Sequence, residues 1–114
     1  MTIIVVVTAA RRYGIIYAPE VRDHVNAIEP KYHGILRQTI GQQLTSAPDH
    51  RTRNRKPLEH VPGPFGSTWE LRCGPGNCFR VFYEVHADAA QVWVLAIGLK
   101  DRNRLYVGGR EYAR

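Results

Sequence analysis

The sequence predicts a single α+β domain, in which an N-terminal strand and an antiparallel two-helix hairpin pack on a small antiparallel sheet. Three observations lead to this fold class. The chain has 114 residues, enough for one core. Apolar residues recur with helical spacing up to about residue 44, and three strand-like runs then follow one another closely. Helices on one face of a sheet of consecutive strands form an α+β layer structure, so residues 1–114 are treated as one domain.

The first strand and the first helix are predicted near the amino terminus. Residues 13–18, Tyr-Gly-Ile-Ile-Tyr-Ala, are aromatic and β-branched, as is typical of a strand. Val21, Val25 and Ile28 then follow at steps of four and three residues, which predicts a short helix to about residue 28. Residues 1–12 precede the strand, and there we expect either an extra edge strand or a flexible leader.

A second, longer helix is predicted between Tyr32 and Leu44, where apolar residues fall on one face at three- and four-residue steps. Glu29 and Pro30 interrupt the chain just before it, because a proline disfavours helical geometry in the residue before it. Such a short break between two helices favours an antiparallel hairpin.

The sheet is predicted from the runs 68–73, 78–85 and 91–98, with a Gly-Pro-Gly turn after the first and one more short strand around 105–107. Residues 49–67 form the longest connection. Alternating side chains divide the two faces of the sheet. One face carries the core, namely Trp69, Leu71, Phe79, Val81, Tyr83 and Val85, and the other carries Thr68, Glu70, Arg72, Arg80, Phe82 and Glu84.

The register of the first hairpin follows from keeping apolar residues opposite each other. We expect Leu71 to pair with Phe79, because a slip of one residue would place Arg80 against Leu71. This register places Glu70 opposite Arg80, on the face that also carries Arg72. A cross-strand ion pair of this kind contributes roughly 0.2–1 kcal/mol, so either a structural or a catalytic role is compatible with the pair.

The charge balance points to an anionic partner. Lys and Arg number 16 against 10 Asp and Glu, which gives a net charge of +6, and 13 of the 16 cations are arginine. Arginine suits bidentate contacts to phosphate. Arg51, Arg53, Arg55 and Lys56 concentrate four of these charges in six residues of the long connection. They are candidate nucleic-acid-binding residues, with a merely solvated loop as the alternative.

Several classes of protein are excluded or disfavoured. The longest apolar run, from Ile3 to Val7 and continuing through 8–10, is far shorter than the roughly 20 residues of a membrane-spanning helix. The arginines after this run do not suit a signal peptide. The predicted register places Cys73 and Cys78 on opposite faces, so we expect no disulfide, and one cysteine pair falls short of a zinc signature. We therefore expect a cytoplasmic protein without metal or cofactor.

The order of elements, with an arginine on the face opposite the core of the middle strand, resembles the RelE/ParE superfamily of toxins from bacterial type II toxin–antitoxin systems. The resemblance covers about residues 13–106. Its motifs are Tyr-Gly-Ile-Ile-Tyr-Ala-Pro-Glu-Val from residue 13, Leu71-Arg72, Phe-Arg-Val-Phe-Tyr from residue 79, Gly-Leu-Lys from residue 98, and Leu105-Tyr106. For RelE-like members the resemblance implies a ribosome-dependent endoribonuclease that cleaves mRNA, and for ParE-like members an inhibitor of DNA gyrase.

The resemblance also implies site residues. Arg80 matches the family's middle-strand arginine, which contacts the scissile phosphate. Lys100 stands where RelE-like enzymes usually have an arginine, and Tyr106 matches their near-terminal tyrosine. Two lysines expected on the preceding strand are replaced by Thr68 and Glu70, which departs from the lysine-assisted mechanism.

Cleavage of RNA by its own 2′-hydroxyl requires a base, cations around the phosphorane and an acid for the leaving oxygen. Arg80 and Lys100 are candidates for the cationic field, with Arg72 adding to it. Glu70 is the candidate base. Tyr106 is a candidate to stack on a base, as aromatic side chains do with single-stranded RNA, or to join the proton transfers.

The leading hypothesis is thus a toxin that acts as an endoribonuclease on mRNA in the ribosome, touches rRNA, and is held inactive by an acidic antitoxin. One alternative is a non-enzymatic gyrase inhibitor. The other is a detoxified module that retains only antitoxin binding.

Overall fold

A sheet of seven strands forms the centre of the part of the chain that the computed structural model describes, residues 11–113. In chain order the elements are β1 (Gly14–Tyr17), α1 (Val21–Asn26), α2 (His33–Leu44), β2 (Arg55–Pro57), β3 (Trp69–Cys73), β4 (Phe79–His86), β5 (Gln91–Asp101), β6 (Arg104–Val107) and β7 (Arg110–Tyr112). Strands β2 to β7 are antiparallel neighbours in sequence order. The predicted α+β class is confirmed.

The predicted amino-terminal strand is confirmed as β1, which pairs with β5 in parallel, from Gly14 opposite Gln91 to Tyr17 opposite Val94. Before it, Arg12 forms an isolated bridge with Ser46. Residues 1–10 lie outside the described residues, and with them most of the segment for which an edge strand or a leader was predicted.

The helical layer differs from the predicted hairpin of two helices. α1 has only six residues and packs against β5, and α2, with 12 residues, is the one main helix in the described range. Between them Glu29 adopts an extended ψ of 133° and residues 30–32 form a 3-10 turn. The cause is Pro30, which disfavours helical geometry at Glu29. The antiparallel hairpin is therefore not confirmed.

The predicted register of the β3–β4 hairpin is wrong by two residues, although the assignment of faces is correct. Leu71 lies opposite Val81, and Phe79 lies opposite Cys73. A shift of two residues keeps every side chain on its face, so alternation cannot detect it. β3 ends at Cys73, as predicted, and Gly74 follows it with a positive φ of 78° and with the Phe79 ring so close that a Cβ would lie 2.2 Å from it. The connection is consequently the longer segment 74–78.

The core lies between β3–β5 and the two helices. Its buried members are Val21, Ile28, Leu36, Ile40, Leu44, Leu71, Cys73, Phe79, Val81, Tyr83, Val92, Val94 and Ile97. The opposite face of the sheet is only partly open. The long connection contributes β2 to the sheet edge, and its later part covers Phe82, because a Cβ on Gly63 would lie 3.0 Å from the Phe82 ring.

His24 closes a gap in the pairing of β5. β1 and β6 both pair with the same edge of β5. The pairing with β1 ends at Val94, and the pairing with β6 begins at Gly98. Between them the backbone N–H of Ile97 donates a hydrogen bond to His24 Nδ1 at 3.3 Å. The imidazole is 6% exposed, and its burial lowers the pKa of His24 below 6.5, whereas the nearby carboxylates of Glu20 and Asp23 oppose the shift.

We predict that His24→Ala lowers the free energy of unfolding at pH 7.5 by about 1–3 kcal/mol, because the Ile97 N–H loses its acceptor. His24→Asn, which keeps an acceptor, is expected to cost less. The neutral ring is favoured in the folded state, so stability contributed by His24 is present above pH 6.5 and is lost as the pH falls.

Urea denaturation at pH 7.5 and 5.5 measures both effects. The parent chain is expected to lose more stability on acidification than His24→Asn does. An equal loss in both proteins would contradict the assignment.

Candidate functional site

A cleft of about 360 Å³ lies on the face of the sheet that points away from the core. It is bounded by β3, β4 and β5 on one side and by the β6–β7 hairpin on the other. The side chains that matter for its chemistry are Glu70, Arg80, Phe82, Lys100, Leu105 and Tyr112. Three of the predicted catalytic residues are therefore brought together here.

Arg80 is held rigidly at the floor of the cleft. Its Nη1 donates to Glu70 Oε1 at 3.0 Å, and its Nε donates to the backbone oxygen of Asn77 at 3.2 Å. Nη2 has no hydrogen-bond partner among the described residues. The two charged side chains are only 10% and 6% exposed. An arginine fixed through two nitrogens presents its third to a ligand with little loss of conformational entropy.

The corrected register makes Glu70 and Arg80 diagonal neighbours, with Phe82 directly opposite Glu70. The ion pair that the sequence predicts is confirmed, although its geometry is different. Arg72 lies directly opposite Arg80, and its Nε is buried without a hydrogen-bond partner in the described range. Because two arginines face each other, the carboxylate of Glu70 is the local counter-charge.

Lys56 belongs to this site as well as to the basic run. It lies on β2 opposite Glu70, and its Nζ is 3.8 Å from Glu70 Oε2. This distance exceeds that of a hydrogen bond, and the Lys56 side chain is 41% exposed. Glu70 Oε2 therefore retains the capacity to accept a proton or a hydrogen bond from the cleft.

Lys100 is positioned by the backbone of β5. Its backbone N–H donates to the Cys78 oxygen at 2.7 Å. Arg80 lies opposite Gly98, so the side chain of Lys100, two residues further along β5, lies on the same face as that of Arg80. A Cβ on Gly98 would lie 2.8 Å from Leu105 Cδ1. Gly98 thus allows Leu105 to fold over β5 and form the apolar part of the cleft.

The structure does not bring Tyr106 together with Arg80 and Lys100. Tyr106 pairs with Leu99, and Leu99 packs against the core. Opposed residues on neighbouring strands share a face, so Tyr106 points to the other side of the sheet. There it lines a separate depression with Asp101, Arg102 and Arg104.

Tyr112, which is not among the residues predicted from the sequence, lines the cleft instead. It pairs with Leu105, which in turn pairs with Lys100. The signal was the Gly-Gly pair at 108–109, where both residues have positive φ. Such a pair is a strong hairpin signal, and the hairpin that it predicts returns residue 112 to the level of residue 105.

The basic run divides into residues with different roles. Arg51 and Arg53 are exposed. Arg55, in contrast, is 7% exposed, and its Nη1 donates to the backbone oxygens of Gln43 at 2.7 Å and Ala47 at 3.1 Å. Its guanidinium therefore caps the carboxyl end of α2, so Arg55 has a structural contact that the exposed Arg51 and Arg53 are not shown to have.

The described residues offer little for metal or membrane chemistry. Within residues 11–113, no group of three or more His, Cys, Asp or Glu side chains could hold a metal ion. Cys73 and Cys78 are free thiols, and burial raises the pKa of Cys73 to about 11. None of the helices described is long and apolar enough to cross a membrane.

Comparison with known proteins identifies the fold. No protein-family model and no curated protein matches the chain. Among solved structures, the chain is similar to one in the crystal structure of the toxin–antitoxin complex RelBE2 from Mycobacterium tuberculosis, with a TM-score of 0.62 and 18% sequence identity. The match covers 78% of this chain and 92% of that chain. The fold that the sequence resemblance implies is thereby confirmed.

We predict that Glu70→Ala lowers the free energy of unfolding by about 3 kcal/mol, because it leaves the Arg80 guanidinium buried without its counter-charge. Lys56→Ala serves as the matched control. It removes a half-exposed partner of the same carboxylate at a longer distance and is expected to cost less than about 1 kcal/mol. Urea denaturation at neutral pH measures both variants, and equal costs would contradict this description of the pair.

Proposed function

We propose that the chain is the toxin of a bacterial type II toxin–antitoxin pair and that it cleaves mRNA on the ribosome as an endoribonuclease. The observation that carries this proposal is the state of Arg80. It is nearly buried, fixed through Nε and Nη1, and left with Nη2 as a donor inside a cleft that also contains Lys100. The fold similarity to a chain of a toxin–antitoxin complex supports the toxin assignment and a protein antitoxin as its partner.

The residues of the cleft suit attack by the ribose 2′-hydroxyl on the adjacent phosphate. Glu70 Oε2, which lacks a hydrogen bond in the described chain, takes the 2′-hydroxyl proton. The bond from the 2′ oxygen to phosphorus forms as the bond to the 5′ oxygen breaks, and the Lys100 ammonium supplies the proton to the leaving oxygen. The products are a 2′,3′-cyclic phosphate and a free 5′-hydroxyl.

The cations of the cleft stabilise the negative charge that develops on the phosphorane. Arg80 Nη2 donates to a non-bridging oxygen of the phosphorane, and its two fixed contacts place it before the substrate arrives. Arg72, opposite Arg80, adds positive potential. The exposed Arg51 and Arg53 contact phosphates of mRNA or rRNA and thereby hold the substrate. No step of this mechanism uses Tyr106, which faces away from the cleft.

An antitoxin rich in acidic residues is the regulator that this charge distribution favours. The chain carries a net charge of +6, and several of its cations line or border the cleft. A partner of opposite charge associates faster through electrostatic steering. By covering the cleft, it would exclude RNA from Arg80 and Lys100.

A non-enzymatic gyrase inhibitor of the ParE type is the second candidate. It is favoured by one specific observation: the only carboxylate in the described part of β3 is Glu70, and it lies between the two cations Arg80 and Lys56. Such a group suits a structural ion pair as well as a base. Thr68 and Glu70 also stand where the resemblance implies lysines.

We predict that inducible expression of the parent chain in a bacterium without its antitoxin arrests growth and produces new mRNA 5′ ends, mapped by primer extension. Arg80→Ala is expected to reduce cleavage about 100-fold to 1,000-fold, as loss of a donor to developing negative charge does in other enzymes. Arg37→Ala is the matched control, because Arg37 is exposed on α2, on the helical side of the sheet.

Growth arrest with unchanged transcripts, intact translation and an induced DNA-damage response would replace the endoribonuclease with the gyrase inhibitor. If expression of the parent chain does not affect growth, antitoxin binding remains as the only proposed role of the protein. Arg80→Lys separates charge from geometry: it retains the charge but cannot make both fixed contacts, so strong loss of cleavage is expected here too.

A further inference from the structure

We propose that Cys73 and Cys78 form a thiol modification site, at which a small-molecule disulfide such as oxidised glutathione closes a disulfide between them and thereby moves the backbone oxygen that holds Arg80. The two cysteines stand on either side of the turn 74–77, which joins β3 to β4. Formation of the bond is independent of the proposed function, whereas its effect on mRNA cleavage rests on that function.

Strand pairing brings the two cysteines close together. Cys73 is the last residue of β3 and lies opposite Phe79, so Cys78 is its diagonal neighbour. Opposed residues of an antiparallel pair have Cα atoms about 4.5–5.5 Å apart, and one residue along a strand adds about 3.3 Å at right angles. The Cα atoms of the two cysteines are therefore roughly 6 Å apart, which lies within the range of a disulfide.

The two thiols also lie on the same side of the sheet. Cys78 precedes β4 and has helical dihedral angles, φ −73° and ψ −21°, so the alternation of a strand does not apply to it. Its side chain packs against the core cluster that contains Cys73. Burial raises the pKa of Cys73 to about 11, the Cys78 thiol adds to this rise, and the Arg80 guanidinium opposes it. Both thiols are free, so the site is in its reduced form.

The two cysteines differ in access, which sets the order of the reaction. Cys78 is partly exposed, whereas Cys73 is 6% exposed. The Cys78 thiolate, after losing its proton to solvent, attacks one sulfur of oxidised glutathione, forms a mixed disulfide and releases one glutathione thiolate. The Cys73 thiolate then attacks the Cys78 sulfur and releases the second glutathione. The protein is oxidised by two electrons, and one oxidised glutathione becomes two reduced ones.

The backbone beside Cys78 positions two residues of the candidate site. The Asn77 oxygen accepts a hydrogen bond from Arg80 Nε at 3.2 Å, and the Cys78 oxygen accepts one from the Lys100 N–H at 2.7 Å. An S–S bond of about 2.05 Å requires the two free sulfurs to approach each other. Because Cys73 is fixed in the core, the approach moves Cys78 and with it the neighbouring Asn77 oxygen.

The turn has little freedom to absorb this movement. Gly74, Gly76 and Asn77 have positive φ values of 78°, 58° and 55°, a conformation that Gly and Asn tolerate better than other residues. The Asn77 N–H also donates to the Gly74 oxygen at 3.0 Å, which closes the turn. A displacement of Cys78 is therefore expected to reach Arg80.

The experiment treats the purified protein with oxidised glutathione and follows it by mass spectrometry and by the Arg80 Nε–H signal in an NMR spectrum of the arginine side chains. The parent chain is expected to lose the mass of two hydrogen atoms, and peptide mapping is expected to assign the disulfide to Cys73 and Cys78. The Arg80 signal is expected to shift on oxidation. Arg80→Lys, which lacks the Nε–H group of arginine, identifies this signal.

Variants with a single cysteine are the matched controls. Cys73→Ala retains Cys78 and is expected to stop at the mixed disulfide with glutathione. Cys78→Ser retains only the buried thiol and is expected to resist the reagent, with the same Arg80 signal before and after treatment. Thermal unfolding midpoints establish that each variant is folded.

Cleavage of mRNA by the oxidised parent is expected to fall about 10-fold to 100-fold, because a displacement of about 1 Å in a catalytic group has effects of this size. Dithiothreitol is expected to restore cleavage. In Cys78→Ser, treatment with oxidised glutathione is expected to leave the rate of cleavage as it was before treatment.

Absence of an intramolecular disulfide in the treated parent would overturn the proposal, and so would a disulfide that leaves the Arg80 signal in place. Equal cleavage by the oxidised and reduced forms would overturn it as well. If the disulfide forms and the Arg80 signal shifts, but neither form cleaves mRNA, the modification site is retained and the endoribonuclease is removed.

Discussion

Strand β5 positions the helices, the carboxyl-terminal hairpin and the cleft. Its 11 residues pair with β4 along one edge and with both β1 and β6 along the other. Because β1 and β6 do not meet, the edge between them needs another hydrogen-bond acceptor, and His24 of α1 supplies it. Gly98 then lets Leu105 fold over the strand. Helix, hairpin and cleft all take their positions from this one element.

The buried ion pair of the candidate site requires desolvation of its charges and at the same time orients Arg80. Burying an ion pair such as Glu70–Arg80 requires desolvation of both charges, and it is often no more stabilising than a pair of apolar residues of similar volume. Its benefit lies in orientation: Glu70 and the Asn77 oxygen fix two nitrogens of Arg80, which lines the cleft. A solvated arginine would lose this preorganisation.

Periodicity in the sequence predicts correctly which side chains share a face of the sheet. Alternation in β3 and β4 correctly placed Leu71 and Tyr83 in the core and Glu70, Arg72 and Arg80 on the other face. It failed where the answer depends on distances between segments. Alternation cannot reveal a register shift of two residues. The helical spacing predicts a hairpin of two helices, whereas α1 has only six residues. The role of Arg55 depends on backbone oxygens at the end of α2 and just after it, which only the folded chain brings near.

Residue type and local spacing alone predict the α+β class, the faces of the strands, the positive charge and three residues of the candidate cleft, Glu70, Arg80 and Lys100. The tertiary structure decided which of those residues meet. It joined Lys56 to Glu70, buried Arg55, turned Tyr106 away and brought Tyr112 beside Leu105 in the cleft. The physical reason is that a side chain's face depends on local alternation, whereas its neighbours depend on how distant strands pair.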